Sequence, residues 1–297
     1  MLVPGRPIHD QPEGQSDVAP GKGCVTVGQG CGHDGGVRRA ALVGGALALV
    51  VLVGVTVLVA RTVLTPPPGC LSSGTDARSV TLEQADSAAT IAGVGLALGV
   101  PNHAVTVALA TAMQESGLRN LPGGDRDSAG LFQQRPSQGW GTYAQVTDPV
   151  YAATAFYRKL ETEPDWTTLS VTQAAQLVQR SAAPEAYAQW EPQARSLARA
   201  LTGEDPGGMA CQGVSPTAPG EDVARLAARE LGSSRLSGPQ PQGRGWAVAG
   251  WLVAHADRLA LAAVTYDGRT WTASGGTWTT TGPADGTLSL RRASSGA

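Results

Sequence analysis

Residues 112–142 read AMQESGLRNLPGGDRDSAGLFQQRPSQGWGT, and the expected fold and chemistry both follow from this stretch. Glu115 ends an otherwise apolar helix, and Ala108 and Ala112 share its face of that helix. A carboxyl group that faces small apolar side chains loses hydration, which raises its pKa and prepares it to donate a proton. The alternative is a glutamate that points into solvent or pairs with Arg119.

A long loop, from Leu118 to Val146, follows this helix without helical periodicity. Long insertions of this kind in compact domains are usually functional. Its amide and aromatic side chains suit the hydrogen-bonding groups and apolar faces of a sugar polymer, and the candidates are Gln133, Gln134, Trp140 and Tyr143. Packing in the core is the alternative for Trp140 and Phe132.

The chain from Ser79 to Gly203 is predicted to be mostly helical. Helix starts are indicated by capping boxes and by an aspartate followed by proline, and helix ends by glycine. These signals are Thr81 with Gln84, Asp148 with Pro149, Ser170 with Gln173, the prolines Pro184 and Pro192, and the glycines Gly99, Gly117 and Gly203.

Two motifs, Gln114-Glu115-Ser116 and Gly130-Leu131-Phe132-Gln133, together with the helix that carries Tyr187, resemble the lysozyme-like superfamily. The specific resemblance, over roughly Ser79 to Gly203, is to soluble lytic transglycosylase domains of the type found in actinobacteria. Phe132 replaces the commoner Met of that family, and Ala186-Tyr187-Ala188 matches its Ala-Tyr-Asn element only in part. With the loop residues above, the predicted substrate-binding set is Ser116, Gly130, Leu131, Phe132, Gln133, Gln134, Trp140, Tyr143 and Tyr187.

The resemblance implies that Glu115 is the catalytic acid and base for cleavage of the MurNAc-GlcNAc β-1,4 bond of peptidoglycan. Standard glycosidases use two carboxylates, whereas one glutamate is enough for a lytic transglycosylase, which leaves 1,6-anhydro-MurNAc ends. Asp125 and Asp127 are expected to cap turns or to pair with nearby arginines. If either of them positions a water, the bond is hydrolysed instead and the product has a reducing end.

The alternative function is a non-catalytic or hydrolytic, lysozyme-like wall-binding component of a secretion or conjugation apparatus, with envelope-complex proteins as partners. No cofactor and no metal is expected, because Cys24, Cys31 and His33 are too few ligands for a zinc site. A net charge of -2 argues against a nucleic-acid partner.

An uncharged run at residues 40–60 is long enough, as a helix, to cross roughly 30 Å of hydrocarbon. We expect a disordered cytoplasmic tail at 1–39, this transmembrane helix, and a spacer at 61–78. Two arginines before the run and one after it favour an N-terminus inside. The expected location is therefore a single-pass membrane protein with extracytoplasmic C-terminal domains, and a buried core helix is the alternative for 40–60.

Cys70 and Cys211 bracket the predicted helical domain at 79–205. They can pair in an oxidising compartment, and two free thiols are the alternative.

After a linker at 206–220, residues 221–292 are predicted to form a small α+β domain of unknown role. Its signals are helical stretches at 221–231 and 246–259 and a hairpin turn at Asp267-Gly268. Its four tryptophans are expected to build a core, with a carbohydrate or protein surface as the alternative, and His103 and His255 are expected to be structural or exposed. The predicted fold class is thus mainly α, with a lysozyme-like helical domain after one transmembrane helix and a small α+β domain at the end.

Overall fold

The computed structural model describes residues 51–57, 67–74, 76–77, 79–217 and 220–294. The chain divides into two compact units, Met1–Leu64 and Thr65–Ala297. In the first unit, residues 51–57 are helical. The predicted tail at 1–39, with its Cys24, Cys31 and His33, lies outside the described residues.

The prediction of a membrane-spanning helix, and with it the single-pass location, is corrected by the structure. No helix in the described ranges is both long enough and apolar enough to cross a bilayer. Of the predicted span at 40–60, the structure describes residues 51–57, which are helical.

The predicted fold class is also wrong, because strands contribute more than a mainly α chain allows. About 47% of the described residues are helical and 14% lie in strands, and the strands form two antiparallel sheets of three and five strands. The architecture of the unit from Thr65 onward is therefore α+β.

The helices of the first half begin close to the predicted signals, except for a short helix at Tyr143–Val146, which lies in the loop predicted at 118–146. They are α1 (Leu82–Leu98), α2 (Asn102–Ser116), the short α3 (Tyr143–Val146), α4 (Pro149–Glu161), α5 (Val171–Gln179), a 3₁₀-helix (Pro184–Trp190) and α6 (Glu191–Thr202). The Thr81 and Ser170 capping boxes are confirmed, as is the Asp148 cap. Gly99 and Gly117 end α1 and α2 in the left-handed conformation.

Helix α2 is the central helix of this region. Eleven of its residues are buried, and it packs against α1, α5 and α6. Its sequence of small and β-branched residues is apolar nearly all round, as expected for a helix enclosed by others. The last turn of α2, which carries Glu115, is thereby fixed in position.

A three-stranded sheet forms from the predicted spacer, the first residues of the predicted helical domain, and the predicted linker. Its strands β1 (Gly69–Ser72), β2 (Ser79–Val80) and β3 (Met209–Gln212) lie in the order β2-β1-β3. Cys70 pairs directly with Cys211 across β1 and β3, and a disulfide joins them. The predicted pairing of the two cysteines is confirmed, and strands β1 and β3 lie within the segments predicted as spacer and linker.

The second half holds two helices and a five-stranded sheet. These are α7 (Val223–Glu230), β4 (Gly238–Pro239), α8 (Gln242–Ala254), β5 (Leu261–Tyr266), β6 (Arg269–Thr272), β7 (Trp278–Thr280) and β8 (Thr287–Arg292), with the sheet order β4-β8-β5-β6-β7. The hairpin at Asp267-Gly268 is confirmed, with Tyr266 opposite Arg269.

The two halves of this unit pack closely against each other. The indole N–H of Trp271 donates to the Cys211 carbonyl at 3.0 Å, and that of Trp278 donates to the Met209 carbonyl at 2.7 Å. These bonds satisfy carbonyl groups of β3, the outer strand of the small sheet. Helix α8 approaches α6 so closely that a Cβ on Gly250 would lie 2.9 Å from the Ala200 carbonyl oxygen.

Candidate active site

Glu115 lies in the last turn of α2, where the helix emerges from the core. The residue is half-buried, and the side chains of the preceding turn, Ala112 and Met113, are buried beneath it. Burial raises the pKa of the Glu115 carboxyl above its ordinary value, because the charged form loses water. The carboxyl is thus shifted toward the protonated state that a general acid requires.

Tyr187, on the 3₁₀-helix Pro184–Trp190, donates its hydroxyl to Glu115 Oε1 at 2.8 Å. The two residues are 72 positions apart in the chain and are brought together because the 3₁₀-helix packs against α2. This bond stabilises the carboxylate and opposes part of the rise in pKa. Burial and the neighbouring carboxylate raise the pKa of Tyr187 in turn, so it remains a donor.

The Gln179 amide, at the end of α5, is the second polar group at the carboxyl. Its Nε2 donates to the Phe132 carbonyl at 2.8 Å, and its side chain is near enough to Glu115 to lower the pKa of that carboxyl. Gln179 therefore connects α5, the loop and the candidate acid.

Gln114, immediately before Glu115, is held by two donors from the 3₁₀-helix. Its Oε1 accepts from Trp190 Nε1 at 2.8 Å and from Gln189 Nε2 at 3.2 Å. These bonds and that of Tyr187 tie the 3₁₀-helix to the same turn of α2.

The loop after α2 is fixed to it through Ser116. The Ser116 hydroxyl donates to the Leu131 carbonyl at 2.7 Å, and residues Ala129 and Gln134 close the loop with two backbone hydrogen bonds of 3.1 Å. Gly130 sits within this turn at a φ of 80°, and a Cβ there would lie 2.0 Å from the Val146 carbonyl oxygen. Only glycine fits this position.

Several residues of the predicted binding set are interior residues. Ser116, Leu131, Phe132, Gln134 and the ring of Tyr187 are buried. Phe132 stacks on Phe156 with ring centroids 4.7 Å apart, and Gln134 Nε2 donates to the Ala152 carbonyl. The structure thus places these side chains where they support the loop, while Tyr187 reaches the acid through its hydroxyl.

Three members of the set, Gln133, Trp140 and Tyr143, have accessible surface. Gln133 is half-buried and bonds within its own loop, to the Gly130 carbonyl and the Ser128 hydroxyl. Tyr143 is 55% exposed, and its hydroxyl donates to the Pro122 carbonyl. Trp140 is half-buried and lines a cleft of about 720 Å³ that Gln179 also lines.

Asp127 is fully engaged by its own loop. Its carboxylate accepts hydrogen bonds from Arg135 Nε at 2.8 Å, from the Ser137 backbone N–H at 2.7 Å and from the Ser137 hydroxyl at 3.0 Å. These bonds hold the pKa of Asp127 far below its ordinary value, and the bond from Arg135 has the largest effect. Asp127 therefore stabilises the loop and does not serve as a proton donor. Asp125 is an exposed residue beside Arg126.

The comparisons with known proteins name no family. No protein-family model matches this sequence, and a search of curated proteins finds no significant relative.

The sequence prediction included Trp140 but missed Gln179, Tyr151, Lys159 and Arg180, which line the same cleft. Gln179 is one of three glutamines in α5, and local sequence gives no sign of which one meets Glu115. Gln114 carries a usable signal, since it is adjacent to Glu115 in the motif.

Proposed function

We propose that this protein cleaves the glycan strands of peptidoglycan at the MurNAc-GlcNAc β-1,4 bond, with Glu115 as its one acid and base. The observation that carries the proposal is the half-buried Glu115, whose pKa is raised by burial and whose carboxyl is bonded to the Tyr187 hydroxyl at 2.8 Å. The resemblance of the motifs around Glu115 and Gly130 to lytic transglycosylases supports the same activity.

In the first step, protonated Glu115 gives its proton to the bridging oxygen, and the C1–O4 bond breaks with its electrons on the GlcNAc O4. The substrate's own N-acetyl oxygen stabilises C1. The Tyr187 hydroxyl stabilises the carboxylate that Glu115 becomes.

In the second step, the C6 hydroxyl of the same MurNAc attacks C1, and the Glu115 carboxylate accepts its proton. A C1–O6 bond forms, the acid is regenerated, and no water is consumed. The raised pKa keeps Glu115 protonated before the first step and makes its carboxylate a better base in the second, while the Tyr187 bond stabilises the carboxylate that forms between them.

The engagement of Asp127 supports transglycosylation over hydrolysis by two carboxylates. A hydrolase requires a second carboxylate that acts as a nucleophile or activates water. Asp127 accepts three hydrogen bonds from its own loop, which leaves it poorly suited to that role.

The proposal is tested by Glu115→Gln, assayed for release of soluble muropeptides from purified peptidoglycan. We expect a loss of about 10²–10⁴-fold, since the amide cannot transfer the proton. Glu161→Gln, at an exposed glutamate at the end of α4, is the matched control and should retain activity.

Mass spectrometry of the products decides between the chemistries. Anhydro ends support the proposal, and reducing ends would replace it with hydrolysis. Undiminished release by the Glu115→Gln protein would refute the role of Glu115. Binding of peptidoglycan by the wild-type chain without any release would favour a non-catalytic wall-binding protein.

A further inference from the structure

The cleft of about 720 Å³ beside Glu115 has features that the proposed bond cleavage does not use. Trp140 and Tyr151 supply aromatic rings to its wall, and Lys159 and Arg180 supply cations. Gln179 lines the same cleft, and its side chain lies near enough to Glu115 to affect that carboxyl, so the cleft adjoins the candidate acid.

Among the described residues that line the cleft, none is an aspartate or a glutamate. Lys159, near the end of α4, forms an ion pair with Glu163, just beyond that helix. Arg180 is exposed, and its guanidinium has no hydrogen-bond or ion-pair partner within the described ranges. The cleft therefore presents an unneutralised positive charge, and a concave site of one sign concentrates ligands of the opposite charge.

The backbone of Arg180 adds a second, independent observation. Arg180 ends α5 with φ 53° and ψ 43°, in the left-handed region. Helices usually place glycine at such a position, because a side chain there costs roughly 1–2 kcal/mol. A residue that keeps a side chain at a strained position next to a candidate active site is a sign of a functional side chain.

We propose that this cleft binds the carboxylate-bearing arm of the muramic acid residue next to the cleaved bond, with Arg180 as the main contact. The inference rests on the proposed function and adds the specificity of that site. A guanidinium binds a carboxylate through two parallel hydrogen bonds, and an aromatic ring such as Trp140 packs against the apolar side of a sugar or peptide. Neutral N-acetylglucosamine polymers carry no such group.

The carboxylate has two sources in peptidoglycan. Strands with stem peptides carry it on the peptide, whereas strands stripped of peptide carry it on the free lactyl group. Both present the same chemistry to Arg180.

The test uses the full chain with Glu115→Gln to prevent turnover, and compares binding with and without Arg180→Gly by calorimetry at low salt. The ligands are peptide-bearing glycan fragments, peptide-stripped fragments, and neutral chitooligosaccharides of equal length. We expect Arg180→Gly to weaken binding of at least one anionic ligand about tenfold or more, and to leave chitooligosaccharide binding unchanged. Arg225→Ala, which removes an exposed arginine from α7, is the control and should change none of the three.

Loss for peptide-bearing fragments alone identifies the stem peptide as the source, and loss for stripped fragments alone identifies the lactyl group. Equal weakening of all three ligands, or of none, would overturn the proposal. The melting temperature of the Arg180→Gly protein should not fall, because glycine relieves the left-handed strain, so lost binding is not a sign of unfolding. The binding assay needs no turnover, so a wild-type chain that binds anionic fragments without cleaving them would refute the proposed function and leave this inference standing.

Discussion

At the scale of single residues, two opposing influences act on the pKa of Glu115. Burial raises it, and the hydrogen bonds from Tyr187 and Gln179 lower it. A group that must both donate and accept a proton benefits from such a balance, because neither protonation state is strongly disfavoured.

Tyr187→Phe tests this balance by removing the hydroxyl while keeping the buried ring. The pKa of Glu115 should rise, so the alkaline limb of the rate profile should move to higher pH. The maximal rate should fall about 10–100-fold, because the carboxylate loses a charge-assisted hydrogen bond. The measurement is muropeptide release as a function of pH.

Tyr157→Phe is the matched control. The Tyr157 hydroxyl is also buried, but it donates to the Ile91 carbonyl at 3.0 Å, on α1. Its loss should cost about 1 kcal/mol of stability and leave the pH profile in place. If the pH profile of the Tyr187→Phe protein does not shift, or shifts to lower pH, then Tyr187 does not lower the pKa of Glu115 as proposed.

At the scale of structural elements, the loop after α2 depends on a close contact between Gly130 and Val146. Gly130→Ala would place a Cβ 2.0 Å from the Val146 carbonyl oxygen, at a φ of 80°. We expect the free energy of unfolding to fall by more than about 2 kcal/mol, from strain and overpacking together. Activity should also fall, because Ser116 and Leu131 hold this loop to α2.

Gly139→Ala is the control that separates backbone strain from the steric contact of the added Cβ. Gly139 has a similar φ of 84°, and a Cβ there would meet nothing within 4 Å. Gly139→Ala should lower the free energy of unfolding by about 1 kcal/mol, from the strained backbone conformation alone. Chemical denaturation of both variants gives the comparison, and equal losses would argue against the Val146 contact as the decisive constraint.

Elements whose signals are local follow from the sequence. Thr81 with Gln84 begins α1 and Gly117 ends α2, because caps and left-handed glycines act within a few residues. Strands β1 and β3 are four residues each and lie 141 residues apart at their cysteines, so no local pattern fixes their pairing. The cysteines themselves were the one usable signal for that contact.

The candidate site likewise contains residues that the sequence indicates and residues that only tertiary packing brings together. Glu115 is indicated by its place on an apolar helix, and Tyr187 by a motif resemblance. Gln179 and Arg180 meet Glu115 and its cleft only through the packing of α5 against α2. The burial of Phe132 and Gln134 likewise depends on tertiary contacts that a loop sequence does not reveal.

At the scale of the whole molecule, a buried charge cluster joins the two halves of the unit from Thr65 onward. His255, which is fully buried, lies 2.5 Å from Asp86 of α1 and 3.0 Å from Glu230 of α7. Burial alone would lower the pKa of His255, but the two carboxylates outweigh it and raise the pKa to about 10. His255 is therefore charged at neutral pH and holds two carboxylates together, a structural role in keeping with the prediction made for it.

His255→Gln should destabilise the protein by about 2–3 kcal/mol near neutral pH, because it removes the buried cation from Asp86 and Glu230 and leaves them only the partly exposed Arg258. The contribution of His255 is complete below pH 6.5, its ordinary pKa, and is lost as the pH rises to about 10. The difference between wild type and variant should therefore shrink over that range, as measured by denaturant unfolding at several pH values.

Glu221→Gln is the control from the rim of the same cluster. Glu221 forms a partly exposed ion pair with Arg258, and such pairs contribute about 1 kcal/mol or less. A His255→Gln loss as small as that of Glu221→Gln, or one that does not change between neutral pH and pH 10, would show that His255 does not hold the halves together.

The bond between Cys70 and Cys211 encloses the entire candidate site, since Glu115, Tyr187 and Arg180 all lie between the two cysteines. A protease that cuts the exposed loop around Gln138 once would leave both pieces covalently tethered. The nicked protein would migrate as two fragments only after reduction, and until then it would keep both sides of the candidate site in one molecule.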